Sequence, residues 1–219
     1  MMTRVTAPDG HEFGCWLAEA EGARKGGIVI LQEIFGITEQ LKGVAARYAA
    51  QGYDVAIPAL FDRQSRDAVI PFAEAPKGRD LMLAADLDQT MRDVGATVDM
   101  LKARGGKVAV IGFCWGGGLA IRAAQILDIA CAVPVYGTRL DAYQIDPLKA
   151  PVEGHWGSED SHVPDEMMQA ARAFFPEMGV HIYDGAGHAF ANDARPADYI
   201  EAAAEKAHGR AADFIAAHI

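Results

Sequence analysis

The sequence predicts an α/β fold: a mostly parallel central sheet with helices on both faces. Three observations carry that prediction. Apolar β-branched runs such as "GGIVIL" and "KVAVIGF" read as strands buried on both faces, as parallel strands are. Segments with helical spacing alternate with those runs along the chain, which implies right-handed βαβ units. Turn residues punctuate the alternation, and neither an internal repeat nor a low-complexity linker interrupts it.

The elements follow in order. "RVTAPDGHEFGCWLAEA" reads as two short strands around Pro8-Asp9-Gly10, where proline presets φ and glycine accepts φ > 0. Ile28 to Leu31 form the next strand. Thr38 then caps a helix running to about Ala50, with Gly52 ending it. "YDVAIPAL" is a strand, and Phe61 to Lys77, with its prolines and mixed charges, reads as a loop. From Arg79 to Lys102 the apolar residues Leu83, Leu87, Met91, Val94, Val98 and Leu101 recur at helical spacing. "KVAVIGF" is a strand, followed by a helix over Trp115 to Leu127. "IACAVPVYG" and "APVEGHWGSED" contain further strands, the second ending in a polar loop. Asp165 to Phe175 is helical, "VHIYDGAGHAF" is a strand ending in a glycine-rich loop, and Ala197 to Ala217 is a closing helix.

Bulk properties bound the function. The 219 residues suit a single domain, over 1–219, and 51% hydrophobic with 23% charged residues is the profile of a globular protein with a substantial core. A net charge of -10 offers no electrostatic reason to bind nucleic acid or an anionic membrane. "MMTRVTAPDGHEFG" has no apolar core of signal-peptide length, and no apolar stretch spans a bilayer. Cys15, Cys114 and Cys131 are odd in number and form no C-x-x-C pair, which disfavours a disulfide scaffold or a zinc knuckle and fits a reducing, cytoplasmic setting. The sequence carries no signature of a monomer or a dimer.

The chemistry concentrates where strands hand over to loops and helices, because reactive groups in such sheets collect beyond the carboxyl ends of the strands. "Gly112-Phe113-Cys114-Trp115-Gly116" fits G-x-S-x-G with cysteine in place of serine. That motif needs small neighbours so that strand and helix approach closely around a strained nucleophile, and Gly112, Gly116 and Gly117 supply the room. The following helix N-terminus lowers a thiol pKa. The plainer alternative is a buried structural cysteine in a tight turn; the flanking glycines, strand and helix favour the nucleophile.

A nucleophile needs a base, and the base an orienting acid, in the chain order nucleophile, acid, histidine. The loop after "PVEGHW" holds Asp160, and the loop after "VHIYD" holds His188. His155 reads as a packed core histidine and His162 as a surface residue of the acid loop. His181 begins a strand, and His11, His208 and His218 lack a motif. Glu159 competes with Asp160 but has the longer side chain. Glu33 directly follows a buried strand, and reads equally as a site carboxylate or a solvated loop residue. Glu33, Asp160 and His188 show no metal-ligand spacing on one element, so neither a metal nor another cofactor is expected.

The segments "LQEIFGI", "GYDVAIPALFDR", "VIGFCWGGGLA", "GSEDSHVP" and "GAGHAFA" resemble the dienelactone hydrolase family, within the α/β-hydrolase fold. The resemblance implies Cys114 as nucleophile, Asp160 as acid and His188 as base. It implies that Glu33 holds the resting thiol and helps activate it, and that the backbone N–H groups of Ile34 and Trp115 form the oxyanion hole. It also exposes a departure. Family members acting on dienelactone grip its carboxylate with arginines, and Asn192 stands where one is expected; Ala75 aligns with the other. Arg79, Lys77 and Arg195 are the candidate substitutes. Together these readings predict hydrolysis of a small carboxylic ester or lactone, and dienelactone does not follow as the natural substrate. The alternatives are a thioesterase or other acyl hydrolase with the same machinery, and a non-catalytic small-molecule-binding protein.

Overall fold

A computed structural model describes residues 1–219. The fold is α/β, with eight strands and six α-helices. The chain forms two compact units, Met1–Ala109 and Val110–Ile219.

The first unit holds β1 (Met2–Thr6), β2 (Glu12–Ala18), β3 (Gly26–Leu31), α1 (Glu39–Ala49), β4 (Tyr53–Pro58), α2 (Ala75–Ala84) and α3 (Leu87–Lys102). Its strands lie in the order β1-β2-β4-β3, with β3 and β4 parallel and the β1-β2 and β2-β4 pairs antiparallel. Every residue of β3 and β4 is buried, as their unbroken apolar runs require. The β1–β2 turn closes through the Gly10 N–H donating to Ala7 O at 2.9 Å, with Gly10 at φ +85°. Thr38 caps α1 by accepting from the Leu41 N–H.

Within this unit, two helix boundaries differ from the sequence reading. The stretch read as a loop to Lys77 becomes helical earlier: a 3₁₀ turn over Phe72–Glu74 leads into α2. The stretch read as one helix from Arg79 to Lys102 is two, because Asp86 takes extended backbone and its Oδ1 accepts from the Gln89 N–H, capping α3 afresh. Leu83 then falls on α2 and is 62% exposed, outside the apolar face of α3 made by Met91, Val94, Val98 and Leu101.

The second unit carries β5 (Val108–Phe113), whose first two residues belong to the first unit, and α4 (Trp115–Ile126), β6 (Ala132–Val135), β7 (Glu153–Gly157), α5 (Asp165–Phe174), β8 (Gly179–Tyr183) and α6 (Glu201–His218). Its strands run parallel in the order β5-β6-β7-β8. α6 starts at Glu201 rather than near Ala197, since residues 193–199 form turns instead. No helix is long and apolar enough to cross a membrane.

Candidate active site

The parallel strands of the second unit all end on one side, and the candidate residues follow them. β5 ends at Phe113 and α4 begins at Trp115, so Cys114 alone makes the reversal, at φ +53° and ψ -117°. A non-glycine residue held there stores on the order of 1–3 kcal/mol of strain, which its surroundings must impose. They do so through hydrogen bonds. The Cys114 N–H donates to Val135 O at 3.1 Å, and Cys114 O accepts from Gly117 N (3.0 Å) and Thr138 N (3.1 Å). The glycines are there for contact. A Cβ on Gly112 would sit 1.9 Å from Gly116 O, and one on Gly117 would sit 2.5 Å from Gly137 Cα. Cys114 is half-buried, whereas Cys15 and Cys131 are fully buried. Burial pushes the Cys15 thiol up to about 12, while Cys114 stands at a helix N-terminus, which favours a thiolate.

The loops after β7 and β8 are clamped together by hydrogen bonds from backbone N–H groups. Ser158 N donates to Tyr183 O (2.9 Å), Glu159 N to Ala186 O (2.8 Å), and Gly185 N to Ser158 Oγ (2.9 Å). Gly157 permits this, since a Cβ there would meet Ala186 O at 2.0 Å. The clamp brings Asp160 Oδ2 to 2.9 Å from His188 Nδ1. The Asp160 carboxylate is fully buried, and its Oδ1 accepts from the His162 backbone N–H at 2.9 Å. Burial alone would raise its pKa; hydrogen bonds from His162 and His188 outweigh that and hold the carboxyl well below the usual range. His188 is shifted down, because burial of its ring exceeds the opposing pull of Asp160. The shift favours the neutral imidazole, the form a general base requires.

Two further side chains surround His188. Tyr136, at φ +38°, meets the ring edge-on at 5.2 Å between centroids. His162, expected on the surface, is exposed, yet its ring lies 4.1 Å from that of His188 and its Nδ1 lies 3.5 Å from Asp160 Oδ1. The interaction of its ring with the Asp160 carboxylate is the main cause of its raised pKa, partly offset by burial. The donor atoms of Asp160, His162 and His188 all fall within 4.8 Å of one another. The sequence reading passed over Tyr136. Its signal was its place directly after a buried parallel strand and before Gly137. His155, expected in the core, is fully buried, with Nδ1 2.9 Å from the Tyr183 hydroxyl.

The remaining predicted residues stand as follows. Asn192 is fully buried and its Oδ1 accepts from the Ala194 N–H at 3.1 Å, so its amide supports the turn after His188. In the first unit, Glu33 follows β3 and is 3% exposed. Its backbone is pinned by Gln32, whose Nε2 donates to Glu33 O (3.2 Å) and whose Oε1 accepts from Leu60 N (3.1 Å). Ile34 is half-buried, and α2 presses against it: a Cβ on Gly78 would lie 2.0 Å from Ile34 O. Arg79, next on α2, is exposed.

Comparison with known proteins settles the lineage. The sequence profile of the dienelactone hydrolase family matches residues 13–219. The chain belongs to the dienelactone hydrolase family. It is 32% identical to the carboxymethylenebutenolidase of Pseudomonas putida over 223 aligned positions, covering 97% of this chain and 94% of that one. It is 27% identical to carboxymethylenebutenolidase 1 of Cupriavidus pinatubonensis, with 97% and 94% covered. Among solved structures, a dienelactone hydrolase-like promiscuous phosphotriesterase from metagenomic libraries superposes with a TM-score of 0.81 at 21% identity, over 100% of this chain and 98% of that one. This member of the dienelactone hydrolase family is a hydrolase with the α/β-hydrolase fold.

Proposed function

We propose that this hydrolase cleaves carboxylic esters or lactones through a covalent acyl-enzyme on Cys114. The observation that carries the reading is the strained cysteine at the β5–α4 turn together with the buried 2.9 Å His188–Asp160 hydrogen bond in the same unit. The Cys114 sulfur attacks the carbonyl carbon and its proton passes to His188. The tetrahedral oxyanion is held by the backbone N–H of Trp115, in the first turn of α4, and, on the family pattern, by that of Ile34. Collapse expels the alcohol, protonated by His188. His188 then takes a proton from water, whose oxygen attacks the thioester carbonyl; the C–S bond breaks, the acid leaves, and His188 returns the proton to the Cys114 sulfur. Asp160 keeps the imidazole in the tautomer with the proton on Nδ1. On the family pattern Glu33 governs ionisation of the thiol. The three free cysteines support a reducing, cytoplasmic location.

The substrate reading rests on Asn192. A buried amide engaged in its own turn does not provide the forked, charge-assisted grip of a guanidinium. Dienelactone is therefore turned over weakly, and neutral esters or lactones better. The test is kcat/KM on p-nitrophenyl esters and on anionic and neutral lactones of similar size, with intact-mass spectrometry of quenched reactions. Cys114→Ala abolishes turnover and the acyl adduct, and His188→Ala leaves little turnover. A Cys114→Ala protein with near wild-type turnover overturns the mechanism. A strong wild-type preference for the anionic lactone overturns the substrate reading, and its loss in Arg79→Ala would identify Arg79 as the carboxylate-binding residue.

A further inference from the structure

The loop between β7 and α5 places a second imidazole beside the first. His162 and His188 approach the same carboxylate, with Nδ1 of His188 2.9 Å from Asp160 Oδ2 and Nδ1 of His162 3.5 Å from Asp160 Oδ1. The two rings are 4.1 Å apart and inclined at 33°. A catalytic acid needs only one imidazole, so the second is surplus to the mechanism above. We propose that Asp160, His162 and His188 form a binding site for a divalent transition-metal cation of the zinc type, and that its occupancy switches hydrolysis off. The second half of this proposal rests on the reading of His188 as the general base.

Two imidazoles and a carboxylate are a donor set for zinc-like cations, and magnesium or calcium would instead favour oxygen ligands. With metal–ligand bonds of about 2.0–2.2 Å, tetrahedral donors stand roughly 3.3 Å apart. His188 Nδ1 and Asp160 Oδ2 already stand 2.9 Å apart, and with all donors within 4.8 Å only the His162 side of the set needs a modest inward shift. His162 can supply it, because its side chain is 59% exposed, while the Asp160 carboxylate and the His188 ring are buried and held. The exposed histidine captures the ion from solvent, and the buried carboxylate neutralises half its charge. The nearby cation, Arg195, is itself paired with Asp198 at 2.8 Å.

The consequence for catalysis is a tautomer change. When the ion takes the Nδ1 lone pair of His188, the proton formerly on Nδ1 moves to Nε2. The ring stays neutral, and nothing is oxidised or reduced. With Nε2 protonated, the imidazole cannot accept the thiol proton.

The test uses the untagged full chain. Zinc chloride is titrated calorimetrically into Cys114→Ala, which removes the competing thiolate, and cobalt(II) absorption reports the coordination geometry. We expect one ion per chain, cobalt bands of a low-coordinate site, and binding weakened at least about tenfold by adding His162→Gln. With Cys114 present, zinc inhibits ester hydrolysis and a chelator restores it. Measured against its own metal-free turnover, the His162→Gln enzyme needs at least about tenfold more zinc for half-inhibition. Equal zinc affinity with and without His162, in an enzyme whose Cys114-dependent turnover is normal, overturns the metal site and leaves the hydrolytic mechanism standing. Tight His162-dependent binding that leaves hydrolysis unaffected upholds the site and overturns both the switch and the role of His188 as base.

Discussion

Replacing Gly112 by alanine tests whether close strand–helix contact holds Cys114 in place. The added Cβ would lie 1.9 Å from Gly116 O, 2.3 Å from Gly116 C and 2.8 Å from Gly117 N. All three are backbone atoms, so no side chain can rotate away. Carbon contacts are comfortable near 3.5 Å, so the end of β5 and the first turn of α4 must separate by about 1 Å or more. Overpacking of this kind costs about 1–3 kcal/mol. For a chain of this size that lowers Tm by about 2–12 °C. The same separation displaces Cys114, and on the proposed mechanism a nucleophile misplaced by about 1 Å loses on the order of a hundredfold in rate. Gly209 is the control: it lies in α6 with open space around its Cβ position. Gly209→Ala should raise stability by about 0.5–1 kcal/mol and leave turnover unchanged. The measurements are thermal unfolding by circular dichroism and kcat/KM on a p-nitrophenyl ester. A Gly112→Ala protein matching wild type in both would refute the packing argument.

Three further outcomes follow from the same geometry. Iodoacetamide should label Cys114 and abolish activity while sparing Cys15 and Cys131, both fully buried, and peptide mapping that found either of those modified first would contradict it. Glu33→Gln should keep the fold and shift the pH profile of Cys114 alkylation, whereas Asp160→Asn should chiefly damage the steps through His188; an unchanged profile in Glu33→Gln would remove Glu33 from thiol activation. His155, whose burial lowers its pKa to about 3, stays neutral in the fold but gains a proton on unfolding below about 6.5. The unfolded state therefore binds more protons, and stability falls as pH drops from about 6.5 towards 3, by roughly 1.4 kcal/mol per pH unit. Urea unfolding at pH 6.5 and 5.0 should show wild type losing about 2 kcal/mol that His155→Gln retains.

The strands and the cysteine turn were legible because they depend on local pattern. A strand buried on both faces must be apolar throughout, as β3 and β5 are, and a residue that turns a strand sharply into a helix must have small neighbours, as Cys114 does in Gly112, Gly116 and Gly117. Helix boundaries were less legible, because α2 and α3 share one apolar rhythm and only the cap made by Asp86 divides them. Tertiary structure alone decided who surrounds His188. Sequence order placed Asp160 and His188 on successive strand ends, but the 2.9 Å bond depends on a backbone clamp between two loops. Tyr136 reaches His188 across the sheet, and His162 turns from a surface residue into a neighbour of the same carboxylate, because side-chain proximity across loops leaves no periodic trace in the chain. Asn192 shows the same division: its identity departs from the arginine the family resemblance leads one to expect, and only its burial and its bond to Ala194 show that the amide serves the turn.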